Sequence, residues 1–138
     1  MTSNILGKYL SDLNRDFIKD SESKLCEYGL TLNMWRCMMV IESNENCSLK
    51  DIAKALNVDN AIITRNIKKL EELDYIIKIK KENDNRFFDL CLAEKGKDIL
   101  DLINNYQLKW YDKIMRDFTN EERDDLINLL EKLCKNIK

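Results

Sequence analysis

The sequence predicts a mainly α-helical fold with one small β-hairpin, an α+β arrangement in which a central region lies between long N- and C-terminal helices. Three features predict it. Apolar residues recur at steps of three and four along most of the chain, two short helical patterns adjoin near the middle, and a β-branched run follows them directly. Because no stretch rich in proline, glycine or serine divides the 138 residues, we treat 1–138 as a single domain.

The composition excludes several classes of function. The 23 Lys and Arg against 25 Asp and Glu give a formal net charge of -2, which excludes binding to nucleic acid through overall positive charge. Histidine is absent, so a histidine metal ligand, general base or Ser-His-Asp triad is excluded. The three glycines are too widely spaced for a phosphate-binding loop. We therefore predict a protein that is not an enzyme and has no catalytic residue, metal site or cofactor.

The cysteines indicate free thiols. They are odd in number, none forms a CxxC motif, and no signal-peptide pattern precedes them, which favours a reducing cytoplasm. We expect all five to be small buried side chains, with a redox-sensing thiol as the alternative. They are Cys26, Cys37, Cys47, Cys91 and Cys134. No apolar run is long enough to cross a bilayer, so no membrane partner is predicted.

Apolar spacing predicts the first two helices. The first carries Leu6, Leu10, Leu13, Phe17 and Ile18 at helical steps. We expect it to end at Gly29, because glycine commonly follows the last turn of a helix. Thr31 is the predicted N-cap of the second helix, and residues 43–47 form a polar loop.

Residues 48–73 predict a helix-turn-helix. Ser48 and Asp51 have the spacing of a capping box, and the apolar positions that follow fit a two-turn amphipathic helix. After a brief turn, Asp59 caps a second helix that runs to about Leu73. Its inner face carries Ile63, Ile67 and Leu70, and its outer face carries Ala61, Arg65, Lys68 and Glu72, flanked by Thr64 and Lys69. This second helix is the predicted recognition helix.

A β-hairpin is predicted directly after the recognition helix. The first strand contains the β-branched residues Ile76, Ile77 and Ile79 and continues into Lys80 and Lys81. Residues 82–86 form a polar tip rich in turn formers, and residues 87–92 alternate as a second strand. A helix-turn-helix followed by such a hairpin is a winged helix-turn-helix, which we assign to residues 31–93.

Two further helices complete the chain. One starts at Ala93 or Glu94, and a capping box formed by Thr119 and Glu122 opens the other. The apolar stripe of the first contains Ile99, Ile103, Tyr106, Trp110, Ile114 and Phe118, and that of the second contains Leu126, Leu129, Leu130, Leu133 and Ile137. The whole sequence thus predicts six helices and one hairpin.

The ordered series of motifs resembles the MarR family of bacterial transcriptional regulators over nearly the whole chain. The matching segments are 29–31 with Trp35, 49–53, 58–65, 70–73, the D-x-R signature at 84–86, 92–96 and 118–122. The chain departs from the family at Asp74, where glycine is usual, and at Ala93, where Thr or Ser is favoured. Aspartate tolerates a left-handed turn better than most residues, so we expect the turn to survive.

The resemblance implies a homodimer in the cytoplasm of a bacterium or archaeon. Residues 1–28 and 94–138 would supply the dimerisation helices, whose apolar stripes are too large to leave in water. The alternative is that these stripes pack within one subunit. The predicted dimerisation residues are Leu6, Leu10, Leu13, Phe17, Trp110, Ile114, Phe118, Leu126, Leu130 and Leu133.

The predicted partner is a double-stranded DNA operator. Residues 48–93 are the only segment with a basic excess, with 9 Lys and Arg against 8 Asp and Glu. Its basic residues are grouped where DNA would lie, on the outer face of the recognition helix and in the wing, where Lys78 accompanies Lys80, Lys81 and Arg86. Acidic Glu71, Glu72 and Asp74 gather at the far end of the recognition helix. The predicted DNA-binding residues are Ser48, Asn60, Ala61, Thr64, Arg65, Lys68, Lys69, Lys80, Lys81 and Arg86. Arg86 would enter the minor groove, with Asp84 as a brace that orients a wing arginine.

The predicted function is sequence-specific regulation of transcription, as a repressor that binds a palindromic operator. The family also implies a pocket for a small aromatic or phenolic effector, for which Phe17, Trp35, Met39 and Tyr106 are candidates and core packing is the alternative. Two other functions stay open. They are a winged-helix protein-interaction module without DNA binding and a thiol-based redox-sensing regulator.

Overall fold

The helices and strands follow the predicted order. The computed structural model describes residues 2–81 and 84–137, and the side chains of residues 2, 3 and 84–87 lie outside the described part. The helices are α1 (Thr2–Leu25), α2 (Leu32–Ser43), α3 (Leu49–Leu56), α4 (Asn60–Glu72), α5 (Glu94–Ile114) and α6 (Asn120–Lys135), and the hairpin strands are β1 (Ile76–Lys81) and β2 (Asp84–Leu92). The predicted fold class, mainly α-helical with one β-hairpin, is confirmed.

The chain divides into two compact units, Met1–Tyr106 and Gln107–Lys138. The first contains α1 to α4, the hairpin and the first part of α5, and the second contains the rest of α5 and α6. None of the helices, in the part of the chain that the structure describes, has an apolar stretch long enough to cross a membrane.

Side-chain caps fix where α2, α3 and α4 begin, as the sequence predicts. The hydroxyl oxygen of Thr31 accepts a hydrogen bond from the Met34 backbone N–H at 3.2 Å. Ser48 and Asp59 accept from the N–H groups of Asp51 and Ala61 in the same way. Each cap satisfies a backbone donor that has no partner inside its helix, so these three starts are set locally.

The apolar faces of α2, α3 and α4 meet in one core with the base of the hairpin. Ile63, Ile67 and Leu70 of α4 are buried, which confirms the predicted inner face. The side chains that they join include Met34, Cys37, Met38, Ile52, Leu90, Leu100 and Ile103. Burial of one side of α4 leaves its other side available at the surface.

The hairpin follows α4 through a left-handed residue. Asp74 has φ 62°, so aspartate adopts the conformation for which glycine is usual, as predicted. The antiparallel ladder pairs Ile76 with Leu92 and continues to Lys81, which pairs with Asp84 across an irregularity between Lys80 and Lys81. The prediction of a polar tip over 82–86 is wrong in extent, because ladder pairing carries β2 back to Asp84.

Other predicted boundaries also shift. α2 continues through Ser43, which was predicted to be the first residue of the loop. A short 3₁₀ turn, Cys26–Tyr28, separates α1 from Gly29, whose φ of 74° confirms the predicted left-handed end. The long stripe does not continue to Phe118, because α5 ends at Ile114 and the N-cap of α6 follows at Thr119.

The terminal helices expose apolar faces. In the first unit, α1 presents Ile5, Leu6, Tyr9, Leu10 and Leu13, each about half exposed. In the second unit, α6 presents Ile127, Leu129, Leu130 and Leu133, and Ile137 follows it. Trp110 differs from the other predicted dimerisation residues, because it is 8% exposed in the single chain.

Gly96, in the first turn of α5, lies against the backbone of Tyr75. A Cβ atom built on Gly96 overlaps the carbonyl oxygen of Tyr75 and lies 2.9 Å from its carbonyl carbon. The same carbonyl accepts a hydrogen bond from the Ala93 N–H at 2.9 Å. Only glycine lets α5 approach the start of the hairpin this closely.

We predict that Gly96→Ala lowers the free energy of unfolding by at least about 1–3 kcal/mol, because the added methyl meets backbone that cannot rotate away. Urea denaturation measures the change. Gly7→Ala is the matched control, since nothing lies within 4 Å of its built Cβ and alanine is the better helix former. Equal stability of the Gly96→Ala variant and the native chain would contradict the close approach.

Candidate nucleic-acid interface

The face of α4 that points away from the core carries the predicted DNA-contacting set. Every predicted member on this helix is exposed: Asn60, Ala61, Thr64, Arg65, Lys68 and Lys69. Ala61, Arg65 and Lys68 lie opposite the buried face because the helix advances about 100° per residue, with Thr64 and Lys69 beside them and Asn60 at the start of the helix. The structure therefore brings the predicted α4 residues together on one surface.

The polar groups on this face differ in how many of their hydrogen-bonding atoms are already used. The Thr64 hydroxyl donates to the Asn60 carbonyl oxygen at 2.8 Å, so its oxygen is left to accept from a ligand. Neither Arg65 nor the lysines Lys68 and Lys69 has an ion-pair or hydrogen-bond partner within residues 2–81 and 84–137. No carboxylate among the described residues therefore competes with an anionic partner for these three cations.

Ser48 lies at the start of α3 and closes a capping box. Its hydroxyl oxygen accepts from the Asp51 N–H at 3.1 Å, and an Asp51 carboxylate oxygen accepts from the Ser48 N–H at 3.0 Å. The hydrogen bond from the Ser48 backbone is the main cause of the lowered pKa of Asp51. A hydrogen bond from the Ser48 side chain is the second cause of that lowered pKa, so a phosphate oxygen must compete with the Asp51 carboxylate for the Ser48 hydroxyl.

The cations of the hairpin are in different environments. Lys80 is exposed and has no carboxylate partner among the described side chains. The Lys81 ammonium lies 3.6 Å from an Asp89 carboxylate oxygen. Asp84 and Arg86 belong to β2 by their backbone, but their side chains lie outside the described part, so the brace and the minor-groove arginine stay predictions.

Lys78, which the sequence groups with the wing cations where DNA would lie, is held between two elements. Its ammonium lies 3.1 Å from a Glu71 carboxylate oxygen at the end of α4. It also lies 4.8 Å from the centroid of the Phe88 ring in β2. No pattern in the sequence links positions 71, 78 and 88, since the contact depends on how the hairpin folds back.

Ile62 is a residue of this surface that the sequence did not predict. It is 36% exposed beside the predicted base-contacting residues in the first half of α4. The sequence contains a signal for the exposure of Ile62, because two isoleucines are adjacent at 62 and 63. Neighbouring residues on a helix point about 100° apart, so only one of the two side chains can reach the core.

The predicted effector residues are only partly brought together. The rings of Phe17 and Trp35 have centroids 6.1 Å apart, and Trp35 packs against the core. Met39 is 36% exposed, and the Tyr106 ring contacts the Lys24 ammonium, 5.4 Å from its centroid. A surface depression on α1 is lined by none of the four; its residues are Ser11, Asn14, Arg15, Ile18, Lys19 and Glu22.

The prediction that all five cysteines are buried is wrong for two of them. Cys37 and Cys47 are buried and Cys91 is half-buried, but Cys26 and Cys134 are exposed. Cys26 lies in the 3₁₀ turn after α1 and Cys134 in the last turn of α6, where no core covers them in the single chain. Burial raises the pKa of both Cys37 and Cys47 to about 11.

Comparison with known proteins identifies a family. The model of the MarR family matches residues 30–87. The chain is 35% identical over 133 residues to the HTH-type transcriptional regulator BilQ of Clostridioides difficile (strain CD3), covering 96% of this chain and 89% of that protein. It is 30% identical over 118 residues to the HTH-type transcriptional regulator SarZ of Staphylococcus epidermidis, covering 86% of this chain and 78% of that protein. A solved MarR protein from Peptoclostridium difficile DA00132 superposes with a TM-score of 0.83 at 28% identity, covering 99% of this chain and 89% of that one.

We predict that Cys37 and Cys47 resist alkylation in the folded protein. Their pKa of about 11, against an ordinary 9.0, leaves about 100-fold less thiolate at pH 8, and burial hinders the reagent further. Exposed Cys26 and Cys134 should react with iodoacetamide before Cys37 and Cys47, whose rates should rise with pH towards their pKa. Mass spectrometry of the alkylated peptides measures each rate, with the urea-unfolded chain as the control. Equal rates at Cys26 and Cys47 in the folded state would contradict the burial of Cys47.

Proposed function

The chain belongs to the MarR family, and from that premise we propose that it is a homodimer that binds double-stranded DNA in a sequence-specific manner and regulates transcription. One observation carries the proposal. The exposed face of α4 presents Arg65, Lys68 and Lys69 with no carboxylate partner among the described residues, directly before the hairpin. A face of this kind combines phosphate-neutralising groups with groups that read bases.

In the proposed complex, α4 enters the major groove with its N-terminal half leading. Asn60, Ala61, Thr64 and Arg65 then face the base edges, and Arg65 donates two hydrogen bonds to a guanine. The exposed side chain of Ile62 adds an apolar surface that fits a thymine methyl group.

Other residues of the proposed interface contact the DNA backbone. Lys68, Lys69 and the Ser48 hydroxyl bind phosphates, which positions the protein without selecting a sequence. Lys80 and Lys81 act from the hairpin, although Lys81 must first leave Asp89. Arg86 enters the neighbouring minor groove, with Asp84 as its brace.

The homodimer accounts for the exposed apolar faces of α1 and α6. A single chain leaves large side chains such as Leu10, Leu13 and Leu133 close to half exposed, which is costly in water. A second copy of the chain would cover them. A two-fold dimer would place its two α4 helices on a palindromic operator, with half-sites about one helical turn apart.

Repression and release by a small aromatic effector stay predictions of the sequence analysis. The contact between Phe17 and Trp35 fits core packing as well as it fits a ligand site. The interaction-module alternative makes the opposite prediction from DNA binding. It expects no enrichment of any duplex when the protein is used to select from a random-sequence pool.

Arg65→Ala should weaken binding to the duplex selected from such a pool by about 1–3 kcal/mol, because it removes a bidentate base contact. Fluorescence anisotropy titrations at several salt concentrations measure the affinity. Lys19→Ala is the control, since it removes one exposed positive charge from α1, outside the helix-turn-helix and hairpin. An affinity unchanged by Arg65→Ala would show that Arg65 does not read the operator.

Leu13→Glu should shift the protein from dimer to monomer, because it places a charge in the exposed apolar face of α1. Sedimentation velocity measures the mass. Ser11→Glu changes an exposed position on the same helix outside that apolar stripe and should leave the dimer intact. A Leu13→Glu variant that remains a dimer would mean that α1 lies outside the interface.

A further inference from the structure

The Lys78 ammonium joins the end of α4 to the second strand of the hairpin. It lies 3.1 Å from Glu71 and 4.8 Å from the Phe88 ring centroid. The Lys78 and Glu71 side chains are 35% and 32% exposed, so both are partly removed from water. An ion pair in that setting is screened less than one on the open surface.

The position of Lys78 in the ladder explains why it meets Glu71. Alternate residues of β1 share a face, so Lys78 lies on the same side of the hairpin as the buried Ile76. Its ladder partner Leu90 is also buried. Lys78 therefore lies on the side that continues into the core, although its charge suggests a surface role.

We propose that Lys78 is a positioning residue that holds the hairpin against α4 through Glu71 and Phe88, and that it does not neutralise a DNA phosphate. The proposal rests on the proposed DNA-binding function and adds to it. In a winged helix-turn-helix, base contacts from the helix and contacts from the wing must engage one duplex together. The angle between helix and wing then affects affinity even where no new contact is made.

The charges next to each lysine support this role. The Glu71 carboxylate already neutralises Lys78, so a phosphate contact by Lys78 would first require that ion pair to break. Lys68, Lys69 and Lys80 have no such pair among the described residues. They can therefore bind phosphates without first breaking an ion pair. Lys78 is thus the least suited of these four lysines to bind DNA directly.

Glu71→Gln distinguishes positioning from simple electrostatics by the sign of its effect. If Glu71 only repels DNA, its neutral variant binds the selected duplex more tightly. If Glu71 holds Lys78, Glu71→Gln binds the duplex more weakly, because the ion pair that fixes the hairpin against α4 is lost. Glu72→Gln is the matched control, since Glu72 is the next residue, is exposed and has no ion-pair partner in the described residues.

The test is a double-mutant cycle on the selected duplex, with Glu71→Gln, Lys78→Gln and both together. We expect each single change to weaken binding roughly two- to five-fold, and the double change to cost no more than either. The slope of log affinity against log salt should stay unchanged for Lys78→Gln. Lys78→Arg, which keeps the charge and the ring contact, should bind like the native chain.

Two results of the titrations would overturn the proposal. One is a slope that falls by about 0.9 in Lys78→Gln, which is the loss expected for one phosphate contact. The other is tighter binding of the selected duplex by Glu71→Gln. Tighter binding is expected only for the control Glu72→Gln, which removes a negative charge without breaking an ion pair. Thermal unfolding confirms that every variant is folded before it is compared.

A measurement without DNA separates failure of this proposal from failure of the proposed function. Amide hydrogen exchange in the hairpin, followed by NMR, should become roughly two- to five-fold faster in each single variant. The double variant should show an increase of the same size. Exchange in α2 should not change. If the native chain selects no duplex, the DNA-binding function is wrong, and the exchange data alone decide the role of Lys78. Unchanged hairpin exchange would overturn it.

Discussion

The structure of the first unit depends on how Tyr75 is held at the junction of α4, the hairpin and α5. Its N–H donates to the Leu70 carbonyl at 3.0 Å, and its own carbonyl accepts from the Ala93 N–H and meets Gly96. Its hydroxyl donates to the Tyr28 carbonyl at 2.7 Å, 47 residues earlier in the chain. The side chain is buried, so these contacts form in a region where a missing partner would be costly. One residue thereby fixes the direction of the hairpin relative to both helices.

Within that frame, the charged residues divide between structure and binding. Lys78 and Lys81 have carboxylate neighbours, whereas Arg65, Lys68 and Lys69 face solvent without one in the described chain. This division explains how a chain of net charge -2 can present a cationic face. Affinity then depends on where a few free cations are held, and the count of basic residues is a poor guide to it.

Local patterns predicted the features that depend on neighbours in sequence. The caps at Thr31, Ser48 and Asp59 each need a donor two or three residues away, so spacing alone revealed them. The outer face of α4 followed from its period in the same way. The contact of Glu71 with Lys78 could not be predicted, because it requires the angle of the hairpin. The exposure of Cys26 could not be predicted because it depends on the 3₁₀ turn after α1. The start of β2 at Asp84 could not be predicted because it depends on the register of the ladder.

The hydrogen bond between Tyr75 and Tyr28 also links the proposed interface to the proposed dimer. Tyr28 ends the 3₁₀ turn that follows α1, the helix whose exposed apolar face a second chain would cover. Tyr75 lies three residues after the end of α4 and directly before the hairpin. The hydrogen bond therefore joins the segment that follows α1 to the residue that orients the wing. In the proposed two-fold dimer each chain carries this hydrogen bond, so both wings are anchored in the same way to the segments that follow the α1 helices.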